Sequence, residues 1–173
     1  DYDTPEWMRE GVMYQIMVDR FFHGQGTDAL THAKDGQNII LHENWDEMPF
    51  LNIAENGDNF ANDFFGGSAV FKELGVSVLY FNPIFTAYTN HKYDTGDYRK
   101  IDPMFGSEQV LRRLCEDAKK LGSHVMLDGV FSHVGDNSIY FNRRGTYGEH
   151  EGAYRDPNSP FFKWFTFRHW PDS

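Results

Sequence analysis

The chain has 173 residues, enough to bury a core as one domain, and its 40% hydrophobic and 24% charged residues describe a globular protein, not a disordered one. A formal net charge of −10 without a long basic run argues against nucleic acid and anionic membrane surfaces as partners, and a neutral substrate fits best. The single cysteine, Cys115, excludes an intrachain disulfide and a paired-cysteine metal site, while leaving the compartment open.

Taken in chain order, the N-terminal "DYDTPEWMREG" has no signal-peptide pattern and no initiator Met, so the chain is expected to be processed or cut from something longer. The first predicted strand is Val12–Val18 ("VMYQIMV"). Residues 23–67 are long and poor in periodicity, which predicts an excursion over one end of the barrel or sheet. "SAVFKELG" (Ser68–Gly75) offers only two helical turns. The second strand is Val76–Phe81 and the third His124–Val130. All three are short and nearly continuously apolar, as in a parallel sheet covered on both faces.

Between the second and third strands lies "HKYDTGDYRKIDPMFG" (His91–Gly106), a loop-like stretch with neither helical nor strand period. The clearest helix follows, over Glu108–Leu121. Val110, Leu111, Leu114, Cys115, Ala118 and Leu121 make its apolar stripe, with Ser107 as N-cap and Gly122 as the stop. From Gly135 to Ser173 the chain has no strong period and is rich in Asn, Gly, Pro, Arg and aromatics, which predicts an irregular subdomain. No apolar run approaches the roughly 20 residues of a membrane span.

Aromatic residues reach 17%, with 16 Phe, 9 Tyr and 4 Trp. Either a large aromatic core or a surface for flat apolar ligands such as sugar rings would use them, and composition leans to the core. Strands alternating with helices indicate an α/β protein, whose ligand sites gather at the C-terminal ends of strands. There the third strand carries Asp128 inside an apolar run, where it needs a partner, and His133 five residues on. A structural pairing plus a surface histidine, and a functional pair, are both open at this point.

"DGVFSHVG" (Asp128–Gly135) resembles the first signature region of the α-amylase family of glycoside hydrolases, which closes the third strand of a barrel. "NPIFTAYTNHKYDTGDYRKIDPMFG" (Asn82–Gly106), "GVMYQIMVDRFF" (Gly11–Phe22) and "NDFFGG" (Asn62–Gly67) are similar to further segments of that family, in the right order, with the neopullulanase and cyclomaltodextrinase branch the most similar. The resemblance implies the first three strands of a (β/α)8 TIM barrel over residues 1–134. Residues 135–173 would begin a subdomain inserted after the third strand. It implies that Tyr93 stacks on the sugar at the cleavage subsite and that His133 hydrogen-bonds a hydroxyl of the same sugar. Asp128 would order the site by pairing with its neighbours, and His91 and Asp94 would fix the loop around Tyr93, with Asp97 also holding its shape.

Relatives are of the retaining type, which uses a nucleophile and an acid/base carboxyl about 5–5.5 Å apart. Their nucleophile lies in a Gly-x-Arg-x-Asp motif that is absent here, since "GDYRKID" has the wrong spacing. No residue of this chain is therefore assigned a catalytic role, and the carboxylates are expected outside this sequence. Ser68 and Ser132 stand where relatives that bind calcium carry Asp and Asn, and "HGQGTDAL" lacks the acidic spacing of an oxygen-ligand cage, so no metal or cofactor is expected. The expected substrate is an α-glucan or maltooligosaccharide, with a homodimer implied for the full-length protein. The alternative is a non-catalytic carbohydrate-binding fragment derived from such an enzyme.

Overall fold

The computed structural model describes residues 3–21, 40–42, 44, 46–48, 63–64 and 76–171. In chain order they form α1 (Glu6–Arg9), β1 (Met13–Ile16), β2 (Ile40–Leu41), β3 (Asp63–Phe64), β4 (Val78–Phe81), β5 (Phe85–Ala87), β6 (Thr95–Ile101), α2 (Glu108–Lys120) and β7 (His124–Leu127). The predicted helix at 68–75 and nearly all of the 23–67 excursion lie outside the described residues. No helix among those described is long and apolar enough to cross a membrane.

All three predicted strands are present and pair in parallel in the order β1-β4-β7. The register runs Met13↔Val78 to Ile16↔Phe81 on one side and Val78↔His124 to Phe81↔Leu127 on the other. Each is shorter than its apolar run. After β1 the chain tightens into a 3-10 turn at Val18–Arg20, and after β7 it leaves the ladder at Asp128, whose N–H still donates to Phe81 O at 3.0 Å.

Only the central strand is covered as its apolar run predicts: Val78, Leu79 and Phe81 of β4 are buried. Met13 and Tyr14 on β1 and Leu127 on β7 are exposed, and among the described residues no further strand flanks either edge. The core is Ile16, Val18, Leu79, Phe81 and Ile84, with Phe105, Leu111, Leu114 and Val125 packed against it. Burial of one such side chain contributes about 1.5–3 kcal/mol.

Helix α2 begins and ends where its caps predict. Ser107 Oγ accepts from Val110 N–H at 3.4 Å, and Gly122 closes the helix with φ +73, a value that favours glycine. Its apolar stripe is narrower than the spacing predicts. Leu111 and Leu114 pack against the core and Ala118 is buried, whereas Val110, Cys115 and Leu121 are exposed.

The stretch His91–Gly106 is corrected most. Its Thr95–Ile101 half is a seven-residue strand, antiparallel to β5. The pairs Phe85↔Ile101, Thr86↔Asp97 and Ala87↔Thr95 are not evenly spaced, so bulges interrupt the ladder. A bulge shifts the face of every residue beyond it, which erases the period of two from the sequence. Strand β4, this hairpin, α2 and β7 thus follow one another as a parallel unit with a hairpin inserted before its helix.

From Gly135 onward the described chain is turns, with one 3-10 turn at Phe162–Trp164. It is tied to β6 by Gly135 N–H to Thr95 O (3.0 Å) and Ile139 N–H to Gly96 O (2.9 Å). Its aromatics pack on one another: Tyr140 meets Trp164 face-on and Phe161 edge-on, and Phe141 and Phe162 both stack on Phe167. Much of the aromatic excess therefore fills this segment.

Candidate functional site

At the C-terminal ends of the strands, backbone pairing gives way to side chains. Asn82 N–H donates to Ile16 O at 2.9 Å, and Gln15 reaches the Asn82 side chain at 2.8 Å. The β5–β6 hairpin rises from this end, and its connecting loop, residues 88–94, carries His91 and Tyr93.

The loop is braced from several directions. The Asp94 carboxylate accepts the N–H groups of Tyr88 (3.0 Å) and Thr89 (3.1 Å) and the Thr89 hydroxyl, closing the loop into a ring as acidic turn residues do. His91 Nδ1 accepts from Tyr93 N–H at 3.1 Å, and the two rings lie 5.8 Å apart. Burial lowers the His91 pKa from 6.5, with Asp94 opposing and Lys92 reinforcing the shift. The neutral ring that accepts from Tyr93 is therefore the favoured form at neutral pH. Asp97, buried on β6, accepts from Arg99 N–H at 2.9 Å and lies 3.6 Å from its guanidinium.

Beneath the loop lies an ion pair that the sequence does not announce. Lys92 Nζ sits 2.9 Å from Asp102 Oδ2, with the two side chains 1% and 0% exposed. Asp102 also accepts from Ala87 N–H (3.2 Å) and Met104 N–H (3.1 Å), and Phe105 lies under the ammonium at 5.4 Å. Lys92 adopts φ +62, one of two non-glycine residues with positive φ among those described. That turn of the backbone sends Lys92 inward while Tyr93, next along, keeps part of its surface open.

Tyr93 and Asp128 are brought together. The Tyr93 hydroxyl donates to Asp128 Oδ2 at 3.0 Å, and the Tyr80 hydroxyl donates to the same oxygen at 2.7 Å. Burial, then the bond to Asp128, raises the Tyr93 pKa from 10.0. The bond to Asp128 comes first for Tyr80, which is pushed up to about 12.

His133 stands apart from this group. Its imidazole is exposed, with Nδ1 3.2 Å from Ser132 Oγ. Its backbone is held instead: the Tyr98 hydroxyl lies 3.0 Å from His133 O and also bonds Val130 O. Of the four predicted site residues, His91, Tyr93 and Asp128 thus form one hydrogen-bonded group, and His133 sits on the adjoining turn.

Tyr80, Lys92, Tyr98 and Asp102 are the residues that sequence reasoning missed. Asp102 precedes Pro103, a turn signal that points to its bond with Met104 N–H. Nothing in the spacing announces that Lys92 reaches back to it. Tyr80 reads as one more apolar residue of a buried strand. Among the described residues no group of three His, Cys, Asp or Glu could hold a metal ion, and Ser132 Oγ lies beside an imidazole. Ser68 and residues 23–30 lie outside the described residues.

Comparison with known proteins adds to this geometry. The model of the alpha amylase catalytic domain matches residues 69–171. An amylopullulanase of Thermoanaerobacterium saccharolyticum is 43% identical over 188 residues, covering 96% of this chain and 15% of its own length. Neopullulanase 2 of Thermoactinomyces vulgaris is 34% identical over 180 residues, covering 99% of this chain and 26% of its own. Among solved structures, the type III pullulan hydrolase of Thermococcus kodakarensis superposes with a TM-score of 0.71 at 31% identity, over 96% of this chain and 29% of that one. A cyclic alpha-maltosyl-(1-->6)-maltose hydrolase of Arthrobacter globiformis gives a TM-score of 0.71 at 27% identity, over 96% and 34%. The chain therefore spans a minor part of the relatives it matches. A catalytic-domain match over more than half its length, parallel strands in the expected order and a likeness to barrel enzymes lead to one conclusion: the chain belongs to the α-amylase family.

Proposed function

We propose that this chain is the sugar-positioning part of a retaining α-glucan hydrolase, acting on maltooligosaccharides or pullulan-like chains. The observation that carries the reading is Tyr93. Its ring sits on a loop tied down by Asp94, by His91 and by the buried Lys92–Asp102 pair, and its hydroxyl is held at the strand ends by Asp128. An aromatic face fixed in this way gives a sugar ring CH–π contact and stabilises positive charge developing on that ring. The exposed His133 imidazole, on the turn after Asp128, would hydrogen-bond a hydroxyl of the same sugar.

In this reading Asp128 and His91 orient Tyr93, and none of the four takes part in bond breaking. The reaction itself would be double displacement: one carboxylate attacks the anomeric carbon as a carboxylic acid protonates the leaving oxygen, and water then releases the glycosyl-enzyme. The names of relatives, amylopullulanase and neopullulanase, support the substrate class.

The test is Tyr93→Ala in the full-length protein. Turnover of maltooligosaccharides should fall at least about tenfold, because stacking that strengthens in the transition state is lost. Unchanged kinetics would remove Tyr93 from the site. Tight maltotriose binding without hydrolysis by the wild type would favour the non-catalytic alternative.

A further inference from the structure

Tyr80 sits on β4, the central strand, whose backbone is paired on one side with β1 and on the other with β7. Asp128 lies one residue beyond β7, whose Leu127 pairs in register with Phe81. Tyr80 and Asp128 therefore occupy adjacent strands at the same end of the sheet. Tyr93 belongs to the hairpin loop, which is not part of that sheet. A single carboxylate oxygen, Asp128 Oδ2, joins the two bodies by accepting both hydroxyls.

The two ends of this junction are held differently. Tyr80 is held by a strand with neighbours on both sides, whereas Tyr93 depends on its loop. Asp128 is half-buried and has left the ladder, so its side-chain rotamer is set by what its oxygens accept. On the reading of Tyr93 as a sugar platform, we propose that Tyr80 is a positioning residue for that platform. It holds the Asp128 carboxylate in the rotamer from which the same oxygen fixes the Tyr93 hydroxyl.

The chemistry suits a permanent brace. The Tyr80 phenol, pushed up to about 12, stays protonated and donating throughout the neutral range. Two donors on one carboxylate oxygen restrict its orientation more than either alone. Loss of the Tyr80 hydroxyl leaves the packing of the ring in place and frees the carboxylate, so the Tyr93 ring loses its fixed orientation.

A double-mutant cycle on the full-length protein tests this. Tyr80→Phe should lower kcat/KM on maltotriose about tenfold in the wild-type background and less than about twofold in a Tyr93→Phe background, where the junction is already broken. Equal losses in both backgrounds, which a general weakening of the fold would give, would overturn the proposal, as would no loss in either. A readout independent of sugar accompanies it: with tyrosine labelled at its ζ carbon, Tyr80→Phe should move the NMR signal that Tyr93→Phe abolishes. If that signal stays in place, Tyr80 does not act on Tyr93, whatever the enzyme does. If the signal moves but Tyr93→Ala leaves turnover intact, the brace exists and the sugar-platform reading is what fails.

Discussion

Lys92, directly before Tyr93, combines a left-handed backbone with a buried charge. A left-handed conformation costs a non-glycine residue about 1–2 kcal/mol, and the pair with Asp102 offsets it only while both partners are present. Replacing the lysine leaves a buried carboxylate without its cation. Lys92→Met should therefore destabilise the protein by about 3–5 kcal/mol, read from denaturant midpoints; a loss under about 1 kcal/mol would show that the pair holds little together. His91 makes a prediction of a different kind. Its folded pKa is lowered by burial, so its stabilising contribution is complete above 6.5 and is lost as pH falls through the lower folded value. Wild-type melting temperature should drop on acidification below 6.5 more than that of His91→Gln, with Asp94 limiting the effect. Parallel pH profiles for the two proteins would contradict the assignment. At this scale Tyr93 and His133 were singled out through the family resemblance and not through their spacing. Tyr80 and Lys92 gave no such signal, because each reads as an ordinary residue until the fold brings it to a carboxylate, Asp128 for one and Asp102 for the other.

At the scale of elements, the β5–β6 hairpin and the turns after Gly135 depend on one another. A Cβ on Gly135 would stand 2.5 Å from Asp94 O, a backbone atom that cannot step aside without moving the loop that bears Tyr93. Gly135→Ala should thus impair the site more than its small size suggests, with a rise in KM for maltotriose that Gly122→Ala does not share. Gly122 has φ +73 and open space around it, so its variant should cost only the backbone strain, about 1–2 kcal/mol of stability. Equal effects of the two would mean that contact with Asp94 is irrelevant. Helix α2 and the three parallel strands were legible because caps and continuous apolar runs are local signals. Strand β6 was not, because bulges remove its alternation and Thr95, Gly96 and Asp97 are buried in succession.

Across the whole molecule, the sheet has two edges without a neighbouring strand among the described residues. Val12, just before β1, is 63% exposed, and Met13, Tyr14 and Leu127 on the edge strands are exposed as well. Unpaired strand edges lined by apolar side chains recruit other chains. The isolated 173-residue chain should accordingly associate as its concentration rises, seen by light scattering after size-exclusion chromatography; a monodisperse monomer at high concentration would show that these edges are otherwise protected. The central claim, that the hairpin loop positions a sugar, is tested most directly by a crystal structure of the full-length protein with maltotriose. One glucosyl ring should lie face-on against Tyr93, with the Tyr93 hydroxyl still on Asp128 and a sugar hydroxyl within hydrogen-bond reach of His133. Sugar bound elsewhere, with the Tyr93 ring covered by protein, would contradict it.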